Sequence, residues 1–195
     1  GLGMETQSMT MISTDFIHGD LRPYAETVLA HEIAHQWFGN SVTPKYWTDI
    51  WLNESFATYS EALWAEHSAG DIGFQRSMNR SYAGIKAWDK NLHKSGKSGS
   101  ILNPIYLFSS NVYHKGAWVL HMLRSAMGDR HFIKSLRTYI EKYSYGNATT
   151  KDFIEIAEAT WADSKPVHPD DEAAIYGFFD YWLTLEGIPH ITIQW

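Results

Sequence analysis

His31-Glu32-Ile33-Ala34-His35, followed after an eighteen-residue interval by Glu54, organises the reading of this 195-residue chain. The flanks, Thr27-Val28-Leu29-Ala30 and Gln36-Trp37-Phe38, contain no helix breaker, so the H-E-x-x-H run is expected inside a helix. Four residues make slightly more than one helical turn, which puts His31 and His35 on one face and within reach of one metal ion. Two neutral imidazoles and a carboxylate around an open fourth position suit catalytic zinc, one ion per chain. Glu32 lies about 100° around the helix from His31 and can reach a water there without being a ligand. That is the arrangement in which a glutamate serves as general base of a zinc hydrolase. A lone histidine on an apolar helix is usually a packed or surface residue. Glu54 separates this chain from that case, because it opens a second helical segment, Asn53 to Glu61, and a helix–loop–helix return brings a third donor back to the first two.

These residues carry a family resemblance. His31-Glu32-Ile33-Ala34-His35-Gln36-Trp37-Phe38-Gly39-Asn40 and Trp51-Leu52-Asn53-Glu54-Ser55-Phe56-Ala57 resemble the zinc site of the gluzincin aminopeptidases, the family of aminopeptidase N. Gly3-Met4-Glu5-Thr6 is similar to that family's G-A-M-E-N exopeptidase motif, with Leu2 in place of its first glycine and Thr6 in place of its asparagine. Val112-Tyr113-His114-Lys115-Gly116-Ala117 resembles the segment that holds the family's catalytic tyrosine, just before a Lys-Gly pair. The three motifs span residues 3 to 116. The resemblance implies a thermolysin-like zincin catalytic domain, mainly α within the α+β class. The chain would be mostly the helical subdomain, with one or two marginal strands.

Composition is consistent with such a domain. At 195 residues the chain can bury close to about 70% of its unfolded surface, and 44% apolar content with nine tryptophans predicts a substantial core. Net charge is −6, Lys and Arg total 16, and no basic run exists to follow a phosphate backbone, so nucleic acid is not an expected partner. Cysteine is absent, which excludes disulfides and thiolate zinc ligands and leaves the compartment open. Apolar runs fall short of a membrane span, and a soluble protein is expected. The chain opens inside a motif, and residues 1–195 are read as part of a zinc metallopeptidase catalytic domain. The family's N-terminal domain and the start of its catalytic domain lie outside the chain, so the isolated fragment is expected to turn over poorly.

Local signals divide the chain. Gln7 to Ser13 alternates as a short strand. Pro23 can open the first-motif helix, which is expected to run to about Phe38 and stop at Gly39-Asn40. Asn53 is the expected N-cap of the helix bearing Glu54. Further helices are predicted from Asp71 to about Lys90 and over 112–127, 130–143, 150–161 and 171–186. Residues 93–103 form a loop, 166–170 a linker, and 188–195 a strand leading into a following domain.

The implied reaction is hydrolysis of the first peptide bond of peptides with a free N-terminus. His31, His35 and Glu54 hold the metal, and Glu32 accepts the proton of the attacking water. By itself a tyrosine at the start of an amphipathic helix reads as packing. The resemblance alone makes Tyr113 the donor to the developing oxyanion. An aminopeptidase must pair the substrate's ammonium group with a fixed anion, and the resemblance assigns that to Glu5. Gly3, lacking a Cβ, could let a peptide approach closely. Glu61, seven residues after Glu54, shares its helical face and could orient a ligand histidine; Asp49 is a weaker candidate for the same task. Trp47 and Phe108 are candidates to line the pocket, whereas His18, His114 and His121 are not expected to be ligands. Two other readings compete: a thermolysin-like endopeptidase, which shares the metal ligands, and a non-catalytic binding module that keeps the fold.

Overall fold

The computed structural model describes residues 3–97, 99–162, 172–189 and 192. Two two-residue strands, β1 (Gly3–Met4) and β2 (Met11–Ile12), pair antiparallel at the start. A short helix α1 (Asp15–His18) and a 3₁₀ turn (Arg22–Tyr24) lead into α2 (Ala25–Ala34). Strand β3 (Val42–Pro44) and a second 3₁₀ turn (Trp47–Asp49) precede the long helix α3 (Trp51–Lys94). A π-helical turn (Asn111–Lys115) runs into α4 (Gly116–Met127), followed by α5 (Asp129–Tyr143), β4 (Gly146–Ala148), α6 (Thr150–Ala162) and α7 (Glu172–Thr184). The described residues are mainly helical, as expected. None of their helices is long and apolar enough to cross a membrane.

Several expected boundaries move. The helix carrying the first motif ends at Ala34 and not near Phe38. Beyond it the backbone closes a tight turn instead: Asn40 N–H donates to the His35 carbonyl (2.9 Å) and Val42 N–H to that of Trp37 (3.0 Å). The expected strand over Gln7–Ser13 contracts to Met11–Ile12. Ile50, not Asn53, occupies the N-cap of α3, and the amides of Asn53 and Glu54 both donate to its carbonyl. The helix expected from Asp71 is continuous with that one, apart from a kink at Gly70, whose φ of 64° interrupts the helical path. It also extends to Lys94, shortening the loop that follows. The linker over 166–170 and most of the strand expected over 188–195 fall outside the described residues.

The core positions the start of α3. Trp51, Phe56, Tyr139, Phe153 and Phe179 are fully buried and form one aromatic cluster, with Phe56 and Phe153 edge to face at 5.0 Å. Burying such a ring contributes on the order of 2–3 kcal/mol, so three helices, α5, α6 and α7, are drawn onto the first turns of α3. A polar lock reinforces this. The buried Asp49 carboxylate accepts from Thr150 N–H and Oγ1 (3.1 and 2.7 Å), and the Trp51 indole donates to the same hydroxyl at 2.7 Å. Parallel pairing of β3 with β4 brings the two ends together. Farther along, the Arg124 guanidinium of α4 reaches Glu66 on α3 and Asp129 on α5, each at 2.8 Å.

Contact between α3 and α4 depends on a glycine. A Cβ at Gly116 would stand 1.8 Å from Ser55 Oγ, and that hydroxyl donates to the Val112 carbonyl at 2.5 Å. The Lys-Gly pair after Tyr113 thus marks where the π turn presses on the residue next to Glu54. Gly116→Ala is expected to destabilise the fold by about 1–3 kcal/mol through overpacking. Thermal denaturation should show a midpoint several degrees lower; an unchanged midpoint would mean that the two helices do not pack this closely.

Candidate metal centre

His31 ends the last full turn of α2, and His35, its C-cap, keeps a helical backbone conformation (φ −61°, ψ −17°). Although the helix stops early, the i, i+4 relation survives, since His35 N–H still donates to the His31 carbonyl. The two Nε2 atoms lie 3.1 Å apart, and Glu54 Oε2 from α3 is 3.4 Å from each. Tetrahedral ligands at about 2.0–2.2 Å from a zinc ion are roughly 3.3–3.6 Å from one another. The triad therefore fits one such ion with little adjustment.

The outer nitrogens are committed elsewhere, which leaves the inner ones free to bind. His31 Nδ1 is 2.8 Å from Glu61 Oε1, and His35 Nδ1 is 2.9 Å from the Phe38 carbonyl. Acceptors in these positions set the tautomer that directs an Nε2 lone pair inward. Glu61 thus occupies the position expected for a residue orienting a histidine. Asp49 does not: it belongs to the lock with Thr150. His18, His114 and His121 are not in the triad, and His121 instead meets the Tyr59 hydroxyl. Trp47 and Phe108 form an exposed edge-to-face pair.

Carboxylates crowd the site. Glu32 is 7% exposed and makes no hydrogen bond among the described residues. Burial raises its pKa, the neighbouring histidines oppose that, and the charges of Glu5 and Glu54 add to it. A second set of donors, Glu5, Glu32 and His35, lies within 4.8 Å and shares His35 with the first. Gly3 runs directly over Glu32: a Cβ there would fall 2.0 Å from its Oε1. Gly3 therefore makes room for the buried carboxylate as well as leaving backbone open. Tyr113 lies in the π turn and stacks on His31, with ring centroids 6.0 Å apart and planes 11° from parallel. Its burial and the adjoining Glu54 carboxylate hold the phenol far above its ordinary pKa, so it remains a donor.

The sequence marks Gln36 and Asn40 only as motif flank and helix stop. In the fold both bond the Glu5 carbonyl, at 3.3 and 2.6 Å. The available signal was weak: two amide side chains just beyond the motif, at the same i, i+4 spacing as the histidines but with nothing local to name their partner.

The three donors shift one another's protonation. Burial pushes the His31 imidazole down, but its hydrogen bonds to Glu54 and Glu61 outweigh that and hold it at about 10. Burial pushes Glu54 up, yet the two histidines hold it at about 2. The raised His31 pKa stabilises the metal-free fold below about pH 6.5 and that contribution is lost as pH rises through 10. The lowered Glu54 pKa contributes above pH 4.5 and is lost as pH falls through 2. A metal must displace the His31 proton. Zinc uptake at pH 7 should release about one proton per ion, read by calorimetry in buffers of different ionisation heat. An observed heat independent of the buffer would contradict the protonated triad.

Comparison with known proteins places this geometry. Residues 2–182 match the Peptidase family M1 domain. Mouse aminopeptidase N is 36% identical over 176 residues, covering 86% of this chain and 18% of that protein. The chain thus spans about a fifth of the length of the curated relatives it matches. An M1 zinc metallopeptidase from Deinococcus radiodurans, a mutant bound to a Tyr-Ser-Ala substrate, is 27% identical with a TM-score of 0.71 over 97% of this chain and 38% of its own. Leukotriene A4 hydrolase from Saccharomyces cerevisiae, 24% identical, shares the fold with a TM-score of 0.78 over 98% of this chain and 30% of its own. The chain belongs to peptidase family M1.

Proposed function

We propose that the protein of which this chain is the metal-bearing part is a zinc-dependent aminopeptidase, with one zinc ion held by His31, His35 and Glu54. The observation that carries the reading is the position of Glu5, whose carboxylate lies within 4.8 Å of the donor atoms of Glu32 and His35. A fixed anion at that place pairs with an α-ammonium group and sets the first peptide bond beside the metal. An endopeptidase gains nothing from an anion there. The names of the relatives support the same activity.

When bound, zinc supplies Lewis-acid polarisation of the scissile carbonyl and acidifies water. The chain supplies the rest. Glu32, whose pKa is raised chiefly by burial and further by the charges of Glu5 and Glu54, accepts the proton of the attacking water and returns it to the leaving amine. A base raised toward the working pH passes that proton on more readily than an ordinary glutamate would. Tyr113, which stays protonated, donates a hydrogen bond to the oxygen that gains charge. Glu61 orients His31, and Glu5 pairs with the substrate's ammonium group, with the Gly3 backbone beside it.

Two measurements test this on the full-length protein. Acetylating the N-terminus of a peptide should lower kcat/KM by roughly 100-fold or more, the effect of leaving a buried charge unpaired; equal cleavage of blocked and free peptides would sink the exopeptidase reading. Glu32→Gln should retain zinc at wild-type stoichiometry while kcat falls by about 10²–10⁴. Wild-type turnover in that variant would remove Glu32 from the role of base.

A further inference from the structure

We infer that Asn40, seconded by Gln36, is the positioning residue that holds Glu5 in register with the metal-binding turn, and so sets recognition of the substrate's N-terminus. The inference rests on the aminopeptidase reading for what Glu5 does, but not for how it is held.

Glu5 has little support of its own. It follows β1, whose antiparallel partner β2 contributes two residue pairs, and a hairpin that short is marginal in water. Residues 6–9 of the connection are exposed, as are Met4 and Met11, and Ser8 adopts a left-handed φ of 62°. Few apolar contacts hold such a segment. A carboxylate that must meet an ammonium group needs an anchor from elsewhere.

The turn after α2 provides it. Asn40 Nδ2 donates to the Glu5 carbonyl at 2.6 Å, and Gln36 Nε2 donates to the same oxygen at 3.3 Å. Gln36 Oε1 also accepts from Ser8 N–H at 3.4 Å, reaching past Glu5 into the connecting turn. The backbone of Asn40 bonds elsewhere: its N–H donates to the carbonyl of His35 at 2.9 Å. Asn40 therefore joins the residue proposed to bind metal to the residue proposed to bind amine through one side chain and one amide. The turn itself is stiff. Gly39 has φ +136°, and a Cβ there would meet the Asn53 side chain at 3.0 Å, next to Glu54.

Because backbone and side chain have separate partners, Asn40→Asp retains shape and turn but replaces a donor by an acceptor facing a carbonyl. Asn40→Asp and Asn40→Ala in the full-length enzyme, assayed on aminoacyl coumarin amides, should raise KM about tenfold, the effect of losing one hydrogen bond. kcat should stay within about threefold of wild type and zinc at wild-type stoichiometry. Amide hydrogen exchange should accelerate over residues 3–9 and remain unchanged over 51–60. Wild-type KM together with wild-type exchange in Asn40→Asp would overturn the inference. Loss of zinc with a fallen kcat would overturn it as well, by assigning Asn40 to the metal site alone. Should the wild-type enzyme cleave acetylated substrates equally, the aminopeptidase reading fails separately, and the exchange data still decide whether Asn40 holds Glu5.

Discussion

Two imidazole nitrogens 3.1 Å apart, each 3.4 Å from one carboxylate oxygen, cannot stand together in a buried site without a shared cation or proton. The rest of the structure follows from meeting that constraint. His31 and His35 come from the end of α2 and Glu54 from the first turn of α3, so the fold must hold two helix termini in fixed relation. It does so with an aromatic cluster around Trp51 and Phe56, with the Asp49–Thr150 lock, and with the glycine contact between Ser55 and Gly116. None of these touches a metal. Each limits how far Glu54 can drift from the histidines, and drift of about 1 Å is enough to spoil tetrahedral geometry.

The same constraint explains the site's electrostatics. Glu5, Glu32, Glu54 and Glu61 converge on two histidines, an excess of negative charge that water cannot fully offset in a buried cleft. Protons compensate in the metal-free chain, which is why His31 is held at about 10 and Glu54 at about 2. On the proposed reading a divalent ion replaces them, and a substrate ammonium group supplies further positive charge beside Glu5. Binding of metal and of substrate thus draw on one imbalance. The Glu32 carboxylate has no hydrogen-bond donor among the described residues, the condition in which it can take a proton.

The donor triad was legible because its geometry is local. An i, i+4 histidine pair and a helical return specify their own faces, and Glu61 followed from seven-residue spacing along the same helix. Helix ends were less legible, because tertiary partners decide them. Trp37-Phe38 looks helical, yet the turn closed through Asn40 and Val42 satisfies the backbone instead. Asn53 carries a capping side chain, but the core fixes α3 to begin three residues earlier, with Ile50 as its N-cap. The clamp on Glu5 was not legible, since Gln36 and Asn40 share the i, i+4 spacing of the histidines but nothing local names a carbonyl some thirty residues away as their partner. Glu5 and Tyr113 entered through resemblance, and the fold brings both to the triad.

The proposed site holds one ion among His31, His35 and Glu54. Zinc K-edge absorption or anomalous diffraction on the full-length protein tests it most directly. The expected result is one zinc with two imidazole nitrogens at about 2.0–2.1 Å and carboxylate oxygen at about 2.0–2.2 Å. An ion bound instead by Glu5, Glu32 and His35, or a protein that takes up no zinc, would contradict it.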